Sequence, residues 1–173
     1  MRLHAYAAAA ALLVSPLAAL AQDAKPTDPQ IAHIAYTAGQ LDVAAAKQAL
    51  GKTKNKDVRA FADQMLKDHT AVNQQALALV KKLKVTPQDN PTSQALTKQA
   101  AAKRTELAKL NGPAFDKAYA ENEVVFHKTV NNALDTQLIP SAQNAELKSL
   151  LQTGLKLFQG HQQHAEHVAS ELK

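Results

Sequence analysis

Apolar residues recur along this chain at alternating steps of four and three, the spacing of one face of an α-helix. From Val58 the series runs through Ala62, Met65, His69, Val72, Ala76, Leu79 and Leu83. No sustained period-two run of β-branched residues interrupts the pattern, so the chain reads as all-α. Turn and cap residues cut it into pieces. Thr27-Asp28-Pro29 opens a helix to about Leu50, with Gly51 as its stop. Asn55 caps a second helix, from about Lys56 to Lys84. Thr92 or Ser93 caps a shorter one to about Leu110, and Asn111-Gly112-Pro113 restarts the chain. A further helix runs from about Pro113 to Leu138, closed by Ile139-Pro140, and Ser141 caps the last, from about Ala142 to Leu172. The short piece lies between the second and third long helices. At ~1.5 Å per residue it spans about 27 Å, enough to carry the chain back along most of a bundle. The expected fold is a ferritin-like four-helix bundle with a short extra helix in that crossover. Up-and-down order with short connections is the alternative.

Each long helix carries a polar residue on its apolar seam. Asp42 stands among Ile31, Ala35, Ala38, Ala45 and Ala49; His69 follows Met65. Glu123 and His127 share a face with Ala120, Val130 and Leu134, and His161 lies between Phe158 and Ala165. Burying such a group without a partner costs roughly 1–3 kcal/mol, more if it is ionised. One intrusion per helix, near mid-height in each case, suggests that the groups meet. Two readings stay open. One is a core metal site made of imidazole and carboxylate, from Asp42, His69, Glu123, His127 and His161. Asp68 and His164 are further candidates. Such donors suit zinc, copper(II), nickel or iron. The other is a buried hydrogen-bonded network that fixes the register of an alanine-rich core. A carboxylate-bridged di-iron centre is disfavoured because no Glu-x-x-His occurs.

The first residues change the picture. A basic start at Arg2, an apolar run from Ala5 to Ala21 broken by Pro16, and Ala19-Leu20-Ala21 form a secretory leader, residues 1–21, with cleavage after Ala21. The run is short and alanine-rich for a membrane span, the competing reading. Residues 22–173 then form a single domain in the periplasm. The absence of cysteine excludes disulfides, zinc-thiolate and iron–sulfur centres, a cysteine nucleophile and a lipidated start. The formal net charge of +5 is spread along every helix among acids. With only 4% aromatic residues it does not predict a nucleic-acid partner. Weak contact with an anionic membrane surface or an envelope protein stays open, as does a homo-oligomer. The tract HQQHAEH, His161 to His167, resembles a metal tract, but on a helix its histidines fan over about 120°, which puts His164 and His167 on the flank or surface. Phe61, Phe115, Tyr119, Phe126 and Phe158 read as core. No phosphate loop or nucleophile elbow is present.

Three blocks, FADQMLKDHT, FDKAYAENEVVFHKTV and LKSLLQTGLKLFQGH, resemble the motifs of a bacterial envelope family, domain-of-unknown-function family 4142. Its members are often labelled membrane or outer-membrane proteins. The resemblance covers about Gln30 to Leu172 and rests most on Asp68-His69-Thr70, on Phe115-Asp116, Tyr119 and His127, and on Leu147, Leu155 and His161. It implies a ferritin-like bundle in the periplasm with those histidines facing inward, and no settled activity. Phe126 stands where the family often has an acid before the second histidine, and Lys156 where it often has a proline. The expected role is binding of a metal or small ligand, related to envelope stress, rather than catalysis. An interaction protein of the envelope and a metal-dependent redox enzyme are the rivals.

Overall fold

The computed structural model describes residues 25–172, so the predicted leader lies outside the described residues. Helix α1 spans Asp28–Lys52, α2 Lys56–Leu83, α3 Pro91–Ala108 and α4 Gly112–Ala133. A π-helical turn, Leu134–Leu138, then leads into the short α5, Ile139–Ser141, and the last long helix, α6, Ala145–Glu171. There is no strand among the described residues. Several boundaries follow directly from local chemistry. At the start of α1, the Gln30 side chain accepts from the Thr27 N–H at 3.0 Å. Asn55 Oδ1 accepts from the N–H groups of Asp57 (2.9 Å) and Val58 (3.1 Å), which have no partner inside α2. Gly112 begins α4 with φ +55°, a conformation a side chain would strain.

Four expected boundaries differ. Gly51 does not stop α1, which continues to Lys52 and ends with the Thr53 N–H on the Ala49 carbonyl. Asn90, rather than Thr92 or Ser93, caps α3; it accepts from Ser93 N, and the Ser93 hydroxyl accepts from Asn90 N in return. Asn144, rather than Ser141, caps α6, accepting from Glu146 N and Leu147 N. In both of the last two cases an asparagine two or three residues from an expected cap is the residue whose side chain accepts from the first turn. Nor does Ile139-Pro140 end the helix at Leu138. Pro140 has no N–H for the carbonyl four residues back, and the chain widens into a π turn, with Ile139 N donating to Leu134 O.

The crossover is the long one. Helix α3 starts beside the foot of α1, where Gln88 N donates to Pro29 O, and ends beside its top, where Gln48 and Lys52 reach the carbonyls of Arg104 and Ala108, each at 2.9 Å. So α1 and α2 form one antiparallel pair, α4 and α6 the other, and α3 returns the chain between them, the ferritin-like order. Asp28 ties the two pairs at the foot, its carboxylate accepting from Gln143 N and Asn144 N. Helix α3 buries only Ser93 and Leu107. It is a surface strap rather than a fifth core helix.

The core comes in two parts. The upper part holds Val58, Phe61, Met65, Leu107, Phe115 and Tyr119, with Phe115 and Tyr119 stacked at 6.1 Å between ring centroids. The lower part holds Ile31, Ile34, Leu134, Leu138, Leu147, Leu151 and Phe158. Burial of each of these large side chains stabilises the fold by roughly 1.5–3 kcal/mol. Between the two parts runs a belt of buried polar groups.

Candidate metal centre

The belt takes one residue from the middle of each of α1, α2 and α6 and two from α4. Asp42, His69, Glu123, His127 and His161 are each no more than 4% exposed. Helical period alone puts them there, since each occupies a seam position where an apolar side chain would otherwise pack. One ring nitrogen of each histidine lies within 4.8 Å of one nitrogen of the other two. Asp42 and Glu123 form a second group with His127 within the same limit, separate from that of the three histidines. Ring centroids are 5.1 Å apart for His69 and His161, 5.7 Å for His69 and His127, and 5.6 Å for His127 and His161. Phe158 stacks on His69 at 4.7 Å and 12°, forming a floor beneath the group.

Two of the imidazoles are each held by one ring nitrogen. His161 Nε2 is 3.0 Å from Asp68 Oδ2, and His127 Nδ1 is 2.9 Å from the Glu123 carbonyl oxygen. His69 Nδ1 is 3.5 Å from Asp42 Oδ2, close but too poorly placed for a hydrogen bond. What remains is unpaired: both nitrogens of His69, His127 Nε2 and His161 Nδ1 have no hydrogen-bond partner, nor do Asp42 Oδ1 and Glu123 Oε2. Buried polar atoms are nearly always paired, so six in one belt require an explanation.

The electrostatics agree with the geometry. Burial drives the His69 imidazolium well down, helped by His127 and His161. Burial lowers His127 to about 4, against the Glu123 carbonyl, which favours its charged form. His161 is lowered by burial and partly restored by Asp68. All three rings are therefore neutral near pH 7, each with one lone pair free of protons. Burial raises Glu123 to about 7 and raises Asp42 well above the carboxylate range, the latter reinforced by Glu123. Two adjacent buried carboxyls cannot both ionise easily, so one proton is held between them. The belt is thus poor in positive charge and rich in lone pairs.

Of the seven candidates the sequence offered, the structure brings five together. Asp68 stands behind His161 and orients it. His164 stands apart, half-buried on α6, its Nδ1 2.9 Å from Gln64 and its ring edge-on to Phe61. Its helical angle, roughly 60° from His161, turns it toward α2. Two belt residues escaped the reading. Tyr119, its hydroxyl unpaired, lies one turn above Glu123, and burial with Glu123 and Asp42 raises its pKa well above 10. Asn73 lies one turn below His69 with its amide nitrogen unpaired. The four-residue spacing of Tyr119, Glu123 and His127, and of His69 and Asn73, is the signal that marks both. A surface recess of about 200 Å³ between α1, α3 and α4 reaches Asp42 and Glu123 past Gln99, Lys103 and Arg104.

Residues 14–168 match the model of a family described as a domain of unknown function, DUF4142. The chain belongs to the DUF4142 family. Among solved structures, a secreted DUF305 protein from Streptomyces coelicolor superposes with a TM-score of 0.70 over 82% of this chain and 91% of its own, at 11% identity. At that identity the likeness shows the fold alone. The sequence finds no match among curated proteins. The family label carries no activity, so the function of this DUF4142 chain has to be argued from the belt.

Proposed function

We propose that this protein is an exported helical bundle that holds one divalent transition-metal ion in its core, bound by His69, His127 and His161, with Asp42 or Glu123 having to shift toward them to complete the set. The observation that carries the reading is the convergence of three buried, neutral imidazoles, one ring nitrogen of each within 4.8 Å of the others, with a nitrogen on every ring that has no hydrogen-bond partner. The backing of His161 by Asp68 and of His127 by a carbonyl is the outer arrangement that fixes the tautomer and direction of a metal-binding histidine. Bonds of ~2.0–2.1 Å put tetrahedral donors about 3.4 Å apart, so the rings would close by at most about 1.4 Å. Imidazole with carboxylate suits zinc, copper(II), nickel or iron(II), and copper(II) heads the affinity order. A hydrogen-bonded network without metal accounts for the contacts of His127 and His161 but leaves a nitrogen on every ring without a partner.

Export to the periplasm is part of the same reading. The leader pattern in residues 1–21 supports it, and so does the description of the DUF305 neighbour as secreted. No helix of the described residues is long and apolar enough to cross a membrane.

The test is the response of melting to metal in three proteins. His69→Ala and His161→Ala are each expected to abolish metal-induced stabilisation of the wild-type protein. A purely structural network predicts instead that both variants melt lower by the same amount with and without metal.

A further inference from the structure

Below the belt the bundle is not filled. A cavity of about 140 Å³ lies in its lower half, walled almost entirely by apolar atoms. The void is written into the sequence: lining positions that could carry leucine instead carry Ala38, Ala76, Ala133 and Gly154. The π turn sets Leu134 and Leu138 into its wall. At the upper end Phe158 separates it from His69. At the side it opens between α3 and α4, past Leu96 and Thr129, into a surface groove.

One group in this wall does not belong to a void. Asn73 is 4% exposed, lines the cavity, and has an amide nitrogen with no hydrogen-bond partner. A packing defect needs no amide. A cavity of roughly 150 Å³ with aliphatic and aromatic walls is large enough for a benzene ring, and binding pockets typically join apolar walls to a few placed polar groups.

We infer that the lower half of the bundle is a binding site for one small, mainly apolar molecule of single-ring size that carries one hydrogen-bond acceptor, met by Asn73. The site goes beyond the metal reading and does not depend on it, since no proposed metal ligand lines the cavity.

The experiment is calorimetric titration of the full mature protein, in chelator, with phenol and with benzene. Both are expected to bind saturably at one site, phenol roughly two- to tenfold more tightly, the worth of one net hydrogen bond. Asn73→Ala is expected to bind both probes equally. Ala133→Leu, which fills the cavity, is expected to bind neither and to melt no lower than wild type. Absence of saturable binding by wild type would overturn the site, as would binding that persists in a folded Ala133→Leu. Equal affinity for the two probes in wild type would overturn the assignment to Asn73. If Ala133→Leu does not fold, the wild-type titrations and Asn73→Ala decide alone.

Discussion

Replacing Glu123 by glutamine in the metal-free protein tests the electrostatics of the belt. Burial raises the Glu123 carboxyl to about 7 from an ordinary 4.5. Between those values the folded protein keeps a proton that the unfolded chain has released. The native state then binds more protons, and stability falls as pH rises through that window. At about 1.4 kcal/mol per pH unit, the loss reaches about 3 kcal/mol above pH 7. Glutamine has the same shape and never ionises, so the variant escapes this loss. His127 works in the opposite sense: lowered to about 4, its stabilising contribution is lost as pH falls from 6.5 toward 4. That loss is common to both proteins and largely cancels in their difference. Asp42 shares the proton with Glu123, and its relief in the variant adds in the same direction. Urea unfolding from pH 4 to 8 in chelator should therefore show a variant-minus-wild-type difference that is flat below pH 4.5, rises, and levels about 3 kcal/mol higher above pH 7. Parallel stability curves would refute the claim that Glu123 is buried against Asp42.

Three further outcomes follow from particular contacts. Asp68→Asn keeps the shape behind His161 but weakens the acceptor on Nε2, and should lower metal affinity by about 10–100-fold with unchanged helical content, read by metal titration and circular dichroism. In Gly39→Ala the new Cβ would lie 2.3 Å from Asn73 Oδ1, so urea unfolding should show a loss of about 1–3 kcal/mol, largely recovered in Gly39→Ala/Asn73→Ala. Lys84 ends α2 in a left-handed conformation at φ 54°, and Lys84→Gly should raise stability by up to about 1 kcal/mol in the same assay.

The belt was legible because a helix has one period. Asp42, His69, Glu123, His127 and His161 keep the four-three step of their neighbours, and a seam residue can only face inward. The crossover was legible from length, since α3 is long enough to run from the foot of α1 to its top. The caps of α3 and α6 were not, because Thr92, Ser93, Ser141, Asn90 and Asn144 all carry suitable acceptors and only the backbone path selects among them. The π turn depends on how Pro140 is accommodated, and proline can end, kink or widen a helix. The lower cavity was invisible because a seam of alanines reads the same whether neighbouring helices close over it or leave room. His164 lies on the flank that its helical angle predicts, meeting Gln64 one turn before the Asp68 that His161 meets on the same helix, α2.

The most direct test of the central claim is the metal content of untagged, exported protein, measured with melting curves with and without chelator. The account predicts close to one transition-metal ion per chain. Saturation at about 100 times Kd is worth about 2.7 kcal/mol, so chelator should lower the midpoint by roughly 5–10 °C. Metal-free protein whose midpoint is moved neither by chelator nor by added zinc, nickel or copper would contradict it, and would leave the five residues of the belt as a structural network.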